Sequence, residues 1–283
     1  MEWVSFSQIV QALKKVGMRQ GDIVNIHSRL YSIGLVKEAN ADEIPAVYLR
    51  AIREVIGESG TIVVPTFTTT FARYGKPFIL EESPSEMGVL SEHVRRFPGA
   101  IRTLHPVFSM AALGGQTEHL TADHPPWSVG YDTTWDRMFR LGAKVLTMGI
   151  SLKAMSFMHH VEFLACVPYV YHKIIRGEVF ANGQSIHRDF FIAVRYLQYE
   201  VVNDLSRLEE DLAATAYSLQ APLGLSAVWS VPMEAAMEVA MKGLRRDPWY
   251  LLRKPPAFVE GQIPCDGITI PREKVLPTAQ YFS

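Results

Sequence analysis

Over the first 150 residues the spacing of the apolar residues switches repeatedly between helical and strand periods, and this alternation narrows the folds open to the chain. Phe6, Ile9, Val10, Leu13 and Val16 recur at helical spacing, with Ser5 and Gln8 placed as a capping box and Gly17 as a stop. Residues 22–27 then read as a strand. A second helix is predicted over Pro45 to Ile56, with proline in its first turn. Thr61 to Val64 is a short buried strand that stops at Pro65. A helix over Met87 to Arg96 ends at Pro98-Gly99, and 144–148 is another strand. Ser230 to Leu244 reads as a late helix with Pro232 in its first turn. The pattern predicts an α/β fold in which one central sheet is packed between helices. With 283 residues and no repeat, low-complexity tract or linker, residues 1–283 are taken as a single layered domain.

Composition removes several classes. Hydrophobic residues make up 48% and charged residues 20%, so the chain can bury a core and is not disordered. The net charge of −1 and the short basic runs, Arg95-Arg96 and Arg245-Arg246, give no nucleic-acid footprint. No apolar run reaches the roughly 20 residues of a membrane span, and residues 1–5 do not open a signal peptide. A cytoplasmic location is expected, with no membrane partner. The cysteines Cys166 and Cys265 form no C-x-x-C pair. Cys166, in the apolar run Phe163 to Val167, is read as a buried reduced thiol. The segment 116–136, with His124-Pro125-Pro126 and Gly130, is loop-like from Glu118 to Asp136, and a loop this long is a candidate substrate lid.

Three segments carry chemistry-bearing residues. In Met155 to Phe163, His159 and Glu162 stand three apart, so a helix places them on one face. A carboxylate beside a histidine orients the ring and makes it a competent general base. An isolated H-x-x-E pair is also compatible with an ordinary helix contact. Metal binding by His159, His160 and Glu162 is the rival reading. Zinc-protease patterns need H-E-x-x-H or H-x-x-E-H, and position 163 is Phe. Adjacent residues on a helix also point about 100° apart, so no metal is expected.

The segment Arg102-Thr103-Leu104-His105-Pro106-Val107-Phe108-Ser109 reads either as a binding turn or as a turn whose polar groups satisfy one another. The third segment, His27-Ser28-Arg29-Leu30-Tyr31-Ser32-Ile33-Gly34, follows a strand, where hydroxyls and backbone N–H groups can hold a phosphate or an amide. It matches neither G-x-x-x-x-G-K-S/T nor G-x-G-x-x-G, and the chain has no G-x-S-x-G.

Taken in order, these segments resemble the aminoglycoside 3-N-acetyltransferase family. V-N-I-H-S-R-L-Y-S-I-G is similar to the family's V-H-S-S-L-x-S-I-G, and G-T-I-V-V-P-T-F-T to its G-T-L-V-x-P-T-F-T. The run M-G-V-L-S-E-H-V-R-R-F-P-G-A-I-R-T-L-H-P-V-F-S-M-A-A-L-G follows the family's M-G-x-L-x-E-x-F-R-x-x-P-G-x-x-R-S-x-H-P-x-x-S-x-A-A-x-G, and H-H-V-E-F its H-x-A-E-Y/W. The likeness covers most of residues 1–170 and continues more weakly through the helix after Ser230. Met155-Ser156 stands where the family often has Asn-Thr, and Thr133-Thr134 where it has Ser-Pro.

The resemblance implies direct transfer of an acetyl group from acetyl-coenzyme A to an amine of an amino sugar, either an aminoglycoside or a nucleotide-linked sugar. It implies His159 as general base and Glu162 as its orienting partner. His27, Ser28, Leu30, Tyr31, Ser32, Arg102 and Thr103 would hold coenzyme A, and His105, Ser109 and Asp132 the acceptor. The alternatives are a non-catalytic relative that binds coenzyme A or a sugar, and a metal-dependent hydrolase. The oligomeric state, a homodimer included, stays open, as does a role in resistance or biosynthesis. The near-equal count of 29 acidic and 28 basic residues, with Lys173, Arg176, Arg188 and Arg195 after Val170, favours an acceptor less cationic than an aminoglycoside.

Overall fold

The computed structural model describes residues 2–37, 39–196 and 199–258. Cys265 lies outside the described residues. The first elements are β1 (Trp3–Val4), α1 (Phe6–Lys15), β2 (Ile23–Ser28), β3 (Leu35–Val36), α2 (Ile44–Ile56), β4 (Thr61–Pro65), α3 (Thr69–Tyr74) and β5 (Phe78–Ile79). The middle of the chain forms α4 (Val89–Arg95), β6 (Ile101–Arg102), β7 (Met110–Gly114), α5 (Thr117–Thr121), α6 (Thr134–Arg140), β8 (Lys144–Met148) and α7 (Met158–Leu164). Then come β9 (Val170–Ile175), β10 (Val179–Ala181), β11 (Gln184–Ser185), β12 (Phe190–Arg195), α8 (Ser206–Ala213), β13 (Leu219–Leu223), β14 (Ser226–Pro232) and α9 (Met233–Arg246).

A seven-stranded sheet in the order β13-β14-β8-β2-β4-β7-β6 forms the centre. β8, β2 and β4 run parallel, and the strands outside them pair antiparallel. Strand alternation sorts the side chains into two layers. Val24, Ile26, Ile62, Val64, Leu146 and Met148 pack under α1, α2 and α4. Val63 and Val145 pack on the opposite face under α6, α7, α8 and α9. The α/β sandwich expected from the sequence is therefore present. The paired strands β9 and β12 stand outside the main sheet over a small third cluster of Phe71, Phe78, Val107, Ile175, Phe190 and Ile192.

Local signals place several boundaries. Ser5 caps α1 as expected: its N–H donates to Gln8 Oε1 (2.8 Å) and its Oγ accepts from Gln8 N–H (3.3 Å). The helix expected from Met87 starts at Val89, because Gly88 at φ 99 is its N-cap. The helix expected from Ser230 starts at Met233. Residues 226–232 instead pair with β8 and with β13, and Pro232 caps the helix that follows. The stretch Glu118 to Asp136 is not all loop, since α5 and α6 occupy its ends. Cys166 is exposed, contrary to the buried thiol expected. It sits just past the end of α7 at φ 50, where the chain turns away from the core.

Four histidines are folded into the interior: His27, His105, His124 and His160. Burial is the main reason each holds a proton poorly, with His105 lowered to about 3 and the other three to about 4 from an ordinary 6.5. Above pH 6.5 neither the folded nor the unfolded chain protonates them. Between 6.5 and about 4 the unfolded chain binds protons that the folded chain refuses, so stability falls as pH falls. Each histidine contributes at most roughly 1.4 kcal/mol per pH unit across that window. The urea midpoint should therefore drop steeply from pH 7 to pH 5. A flat midpoint over that interval would show that these rings are not buried in the neutral form.

Candidate active site

The polar side of the sheet supplies the floor of the site. Asn25 and His27 share a face of β2, and His27 is in register with Thr147 of β8. Asn25 Nδ2 donates to Val63 O (3.3 Å), which turns its Oδ1 toward His27 Nε2 (3.0 Å). Nε2 must then carry the proton, and Nδ1 keeps the lone pair. These residues lie at the C-terminal ends of parallel strands. There the chain leaves β2 for β4 on one side and later lays β8 on the other, the position where open α/β sheets bind ligands.

The turn after β2 is held by the end of β8. Gly149 has φ 70, and a Cβ there would lie 2.3 Å from Arg29 O, so only glycine lets the two segments meet. Ser32 Oγ donates to Arg29 O (2.7 Å) and to Gly149 O, so its hydroxyl is engaged within the turn. Leu30 is buried in the core. Ser28 is half-buried, and Tyr31 is exposed.

α7 lies over the face that carries Asn25 and His27. His159 is partly exposed, and Glu162, one turn on, is buried. The spacing three apart does bring them together, with Nδ1 3.4 Å from Oε2. Glu162 has two further partners that the sequence did not pair with it. Arg195 from β12 reaches Oε2 (2.7 Å) and Oε1 (2.9 Å) through Nη2, and Oε1 again through Nε (3.2 Å). Tyr169 OH donates to Oε1 (3.2 Å). Burial alone would push the Glu162 carboxyl up. The Arg195 charge and the His159 contact overcome it and hold the carboxyl below its usual range. Glu162 is therefore an anion inside the protein.

His159 Nδ1 also lies 3.3 Å from Arg195 Nη2. That nitrogen can donate to the carboxylate or accept from the guanidinium, but not both. A bond to a buried carboxylate is charge-assisted, and Nη2 already has both carboxylate oxygens at shorter distance. Nδ1 therefore carries the proton and Nε2 the lone pair. A small cleft beside the ring is lined by Phe67, Phe108, Ser128, Val129, Trp135 and Ala193.

The neighbouring histidine is placed differently. His160 is fully buried, stacked on Phe157 with ring centroids 5.8 Å apart, and its Nδ1 accepts from Gly130 N–H (3.2 Å). The two rings diverge, so His159, His160 and Glu162 do not converge on one point. Among the described residues no group of three or more His, Cys, Asp or Glu is arranged to hold a metal ion.

The Arg102 to Ser109 segment takes the second of its two readings. All five guanidinium donors of Arg102 are used, on Ser109 Oγ, Leu80 O, Ser83 O, Thr66 O and Thr68 Oγ1. Thr103 is buried and accepts from Met110 N–H (2.9 Å). His105 is buried, with Nδ1 accepting from Val107 and Phe108 N–H and Nε2 facing Phe191 O (3.3 Å). Ser109 donates to Thr66 O (2.8 Å). These four residues clamp the corner of the sheet, and their polar atoms face the protein's own. Asp132 is half-buried and pairs with Arg137 (2.9 Å) and Arg140 (3.3 Å).

The loop between α5 and α6 is fastened along β12. Ser128 N–H donates to Phe191 O (2.9 Å), Phe191 N–H to Pro126 O (2.8 Å) and Ala193 N–H to Ser128 Oγ (3.1 Å). The basic residues after Val170 are engaged too. Arg176 pairs with Asp189, and Arg188 donates to Leu104 O and His124 O. Lys173 is buried, and Arg195 is bound to Glu162.

The family model described as aminoglycoside 3-N-acetyltransferase matches residues 6–245. Aminoglycoside N(3)-acetyltransferase VII of Streptomyces paromomycinus is 32% identical over 207 residues, covering 66% of this chain and 70% of its own. Two solved acetyltransferases share the fold. AAC-IIIb, in a binary complex with CoASH, is 22% identical at a TM-score of 0.73 and covers 90% of this chain and 100% of its own. AAC-VIa, bound to sisomicin, is 20% identical at a TM-score of 0.73, with 86% and 98% covered. No helix among the described residues is long and apolar enough to cross a membrane. With the sheet, the H-x-x-E pair and the family match in agreement, the chain belongs to the aminoglycoside 3-N-acetyltransferase family of acetyl-coenzyme A-dependent enzymes.

Proposed function

We propose that this chain moves an acetyl group directly from acetyl-coenzyme A to an amine of an aminoglycoside-type sugar, with His159 as the general base. The observation that carries the proposal is a partly exposed ring whose Nδ1 faces a buried carboxylate, at the C-terminal ends of the central parallel strands. An amine is mostly protonated at neutral pH and attacks a thioester only after losing a proton. The ammonium first sheds one proton to water. His159 Nε2 then takes a second from the attacking amine as the C–N bond forms and passes it to the departing thiolate as the C–S bond breaks, leaving the amide, the free thiol and one proton released to water. The turn made by His27, Ser28, Leu30, Tyr31 and Ser32 is assigned to coenzyme A. The segment 116–136 is assigned to a lid, with Asp132 at its rim. The need for acetyl-coenzyme A accords with a cytoplasmic location.

The acceptor follows from the charges. The preference for an acceptor less cationic than an aminoglycoside rested on the balance of 29 acidic and 28 basic residues and on Lys173, Arg176, Arg188 and Arg195. Those four are buried or engaged, which leaves only the overall balance, and the family's own substrate class becomes the better reading. The test is a comparison of kcat/KM across aminoglycosides and nucleotide-linked amino sugars, read as thiol release. Values above about 10⁴ M⁻¹s⁻¹ are expected on aminoglycosides. Activity confined to the nucleotide sugars would overturn the acceptor, and coenzyme A binding without thiol release on any acceptor would indicate a sensor.

Loss of a positioned base typically costs about 10²–10⁴-fold in rate. His159→Ala should lower turnover by that order while coenzyme A binding changes little. His160→Ala should reduce stability more than turnover, because it empties the space on Phe157 and leaves Gly130 N–H without its acceptor. Near-normal turnover in folded His159→Ala would remove the assignment.

Glu162→Gln keeps the shape and loses the charge. His159 should then hold a proton less tightly, so the acidic limb of the pH–rate profile moves to lower pH and the plateau falls. An unmoved limb would mean that Glu162 does not act through His159.

A further inference from the structure

We propose that Arg195 is a positioning residue of the transfer reaction: it locks Glu162 on the Nδ1 side of His159 and loosens the ring's hold on the proton it takes from the amine. The proposal rests on His159 being the base. It goes further by assigning opposite electrostatic effects to the two charges beside that ring.

Three observations carry it. The guanidinium grips the carboxylate through Nε and Nη2, a two-nitrogen contact that fixes the plane of the Glu162 carboxylate. Tyr169 closes Oε1 from behind, so the carboxylate has little freedom to rotate away from His159. Nη2 also stands 3.3 Å from Nδ1, close enough for its charge to act on the ring directly. The titratable and charged groups facing His159 are Glu162 on its own helix, Arg195 from β12 and His27 from β2. His27 is buried and neutral over the working range, so Glu162 and Arg195 are the two fixed charges.

Their roles follow from the proton's path. The amine gives a proton to His159 Nε2 as its nitrogen bonds to the acetyl carbon. The carbon–sulfur bond then breaks, and the thiolate must receive a proton. A ring paired with Glu162 alone would be a strong base and a reluctant acid. With Arg195 beside Nδ1, the imidazolium faces a cation as well as an anion, and the same proton passes on to sulfur more readily. A group that serves as base and then acid works best when its affinity for the proton lies near the operating pH.

The test separates this reading from a merely structural ion pair. Arg195→Met and Arg195→Lys are compared with the parent by NMR titration of the His159 ring, by the pH–rate profile and by the split between kcat and KM. In Arg195→Met the His159 titration and the acidic limb should both move to higher pH by about one unit, opposite to Glu162→Gln. kcat should fall about tenfold or more, with KM for acetyl-coenzyme A nearly unchanged. Arg195→Lys keeps a cation, so its titration should return toward the parent value. If Arg195→Met does not fold, the double variant Arg195→Met/Glu162→Gln buries no lone carboxylate and is compared with Glu162→Gln alone. Its His159 titration should lie above that of the single variant. An unmoved or lowered titration in the folded variant overturns the proposal. The NMR readout does not depend on turnover, so it stands apart from any failure of the base assignment.

Discussion

A carboxylate inside a protein needs a partner, and Glu162 has three. Desolvation of an ion costs several kcal/mol, and the Arg195 charge is the largest of the contacts that offset it, with the His159 contact beside it. The ion pair joins α7 to β12 through two residues 33 positions apart along the chain. The pairing of β9 with β12 and the fastening of the Ala122 to Thr133 loop along β12 complete the wall beside His159. Replacing such a pair with apolar residues is often neutral for stability, whereas removing one member is strongly destabilising. On that argument the pair suits the positioning role proposed for it beside His159 better than a purely stabilising one.

The sheet sets the other half of the site through its period of two. The residues that alternate with Val24, Ile26, Leu146 and Met148 face α7. Three of them are polar at positions where the rest of the layer is apolar: Asn25, His27 and Thr147. Asn25 is itself oriented by Val63 O, so the tautomer of His27 is decided by a strand neighbour. Two histidines thus stand near one another with opposite tautomers, each fixed by a hydrogen bond on its far side.

Much of this was legible in the sequence because the signals were local. The Ser5 and Gln8 cap, the strand runs and the three-residue spacing of His159 and Glu162 all act within one turn or one strand. Arg195 was visible only as one of several cations after Val170, because its partner lies 33 positions away and no spacing rule joins them. Arg102 and His105 looked like ligand-binding side chains for a related reason. Sequence shows which groups can donate, and only the fold shows that Leu80, Ser83 and Thr66 carbonyls already accept from Arg102. Cys166 was misread because its run is apolar, while the left-handed turn after α7 carries it to the surface.

The role proposed for His159 depends most on where its proton sits at rest. With Glu162 ionised and Arg195 occupied by its oxygens, Nδ1 carries the proton and Nε2 is free. Nitrogen-15 NMR of the folded protein, at a pH where His159 is neutral, reads this directly. The account predicts a pyrrole-type Nδ1 and a pyridine-type Nε2. The reverse assignment, with Nδ1 accepting from Arg195 and Nε2 protonated, would leave no lone pair for the amine proton and would contradict it.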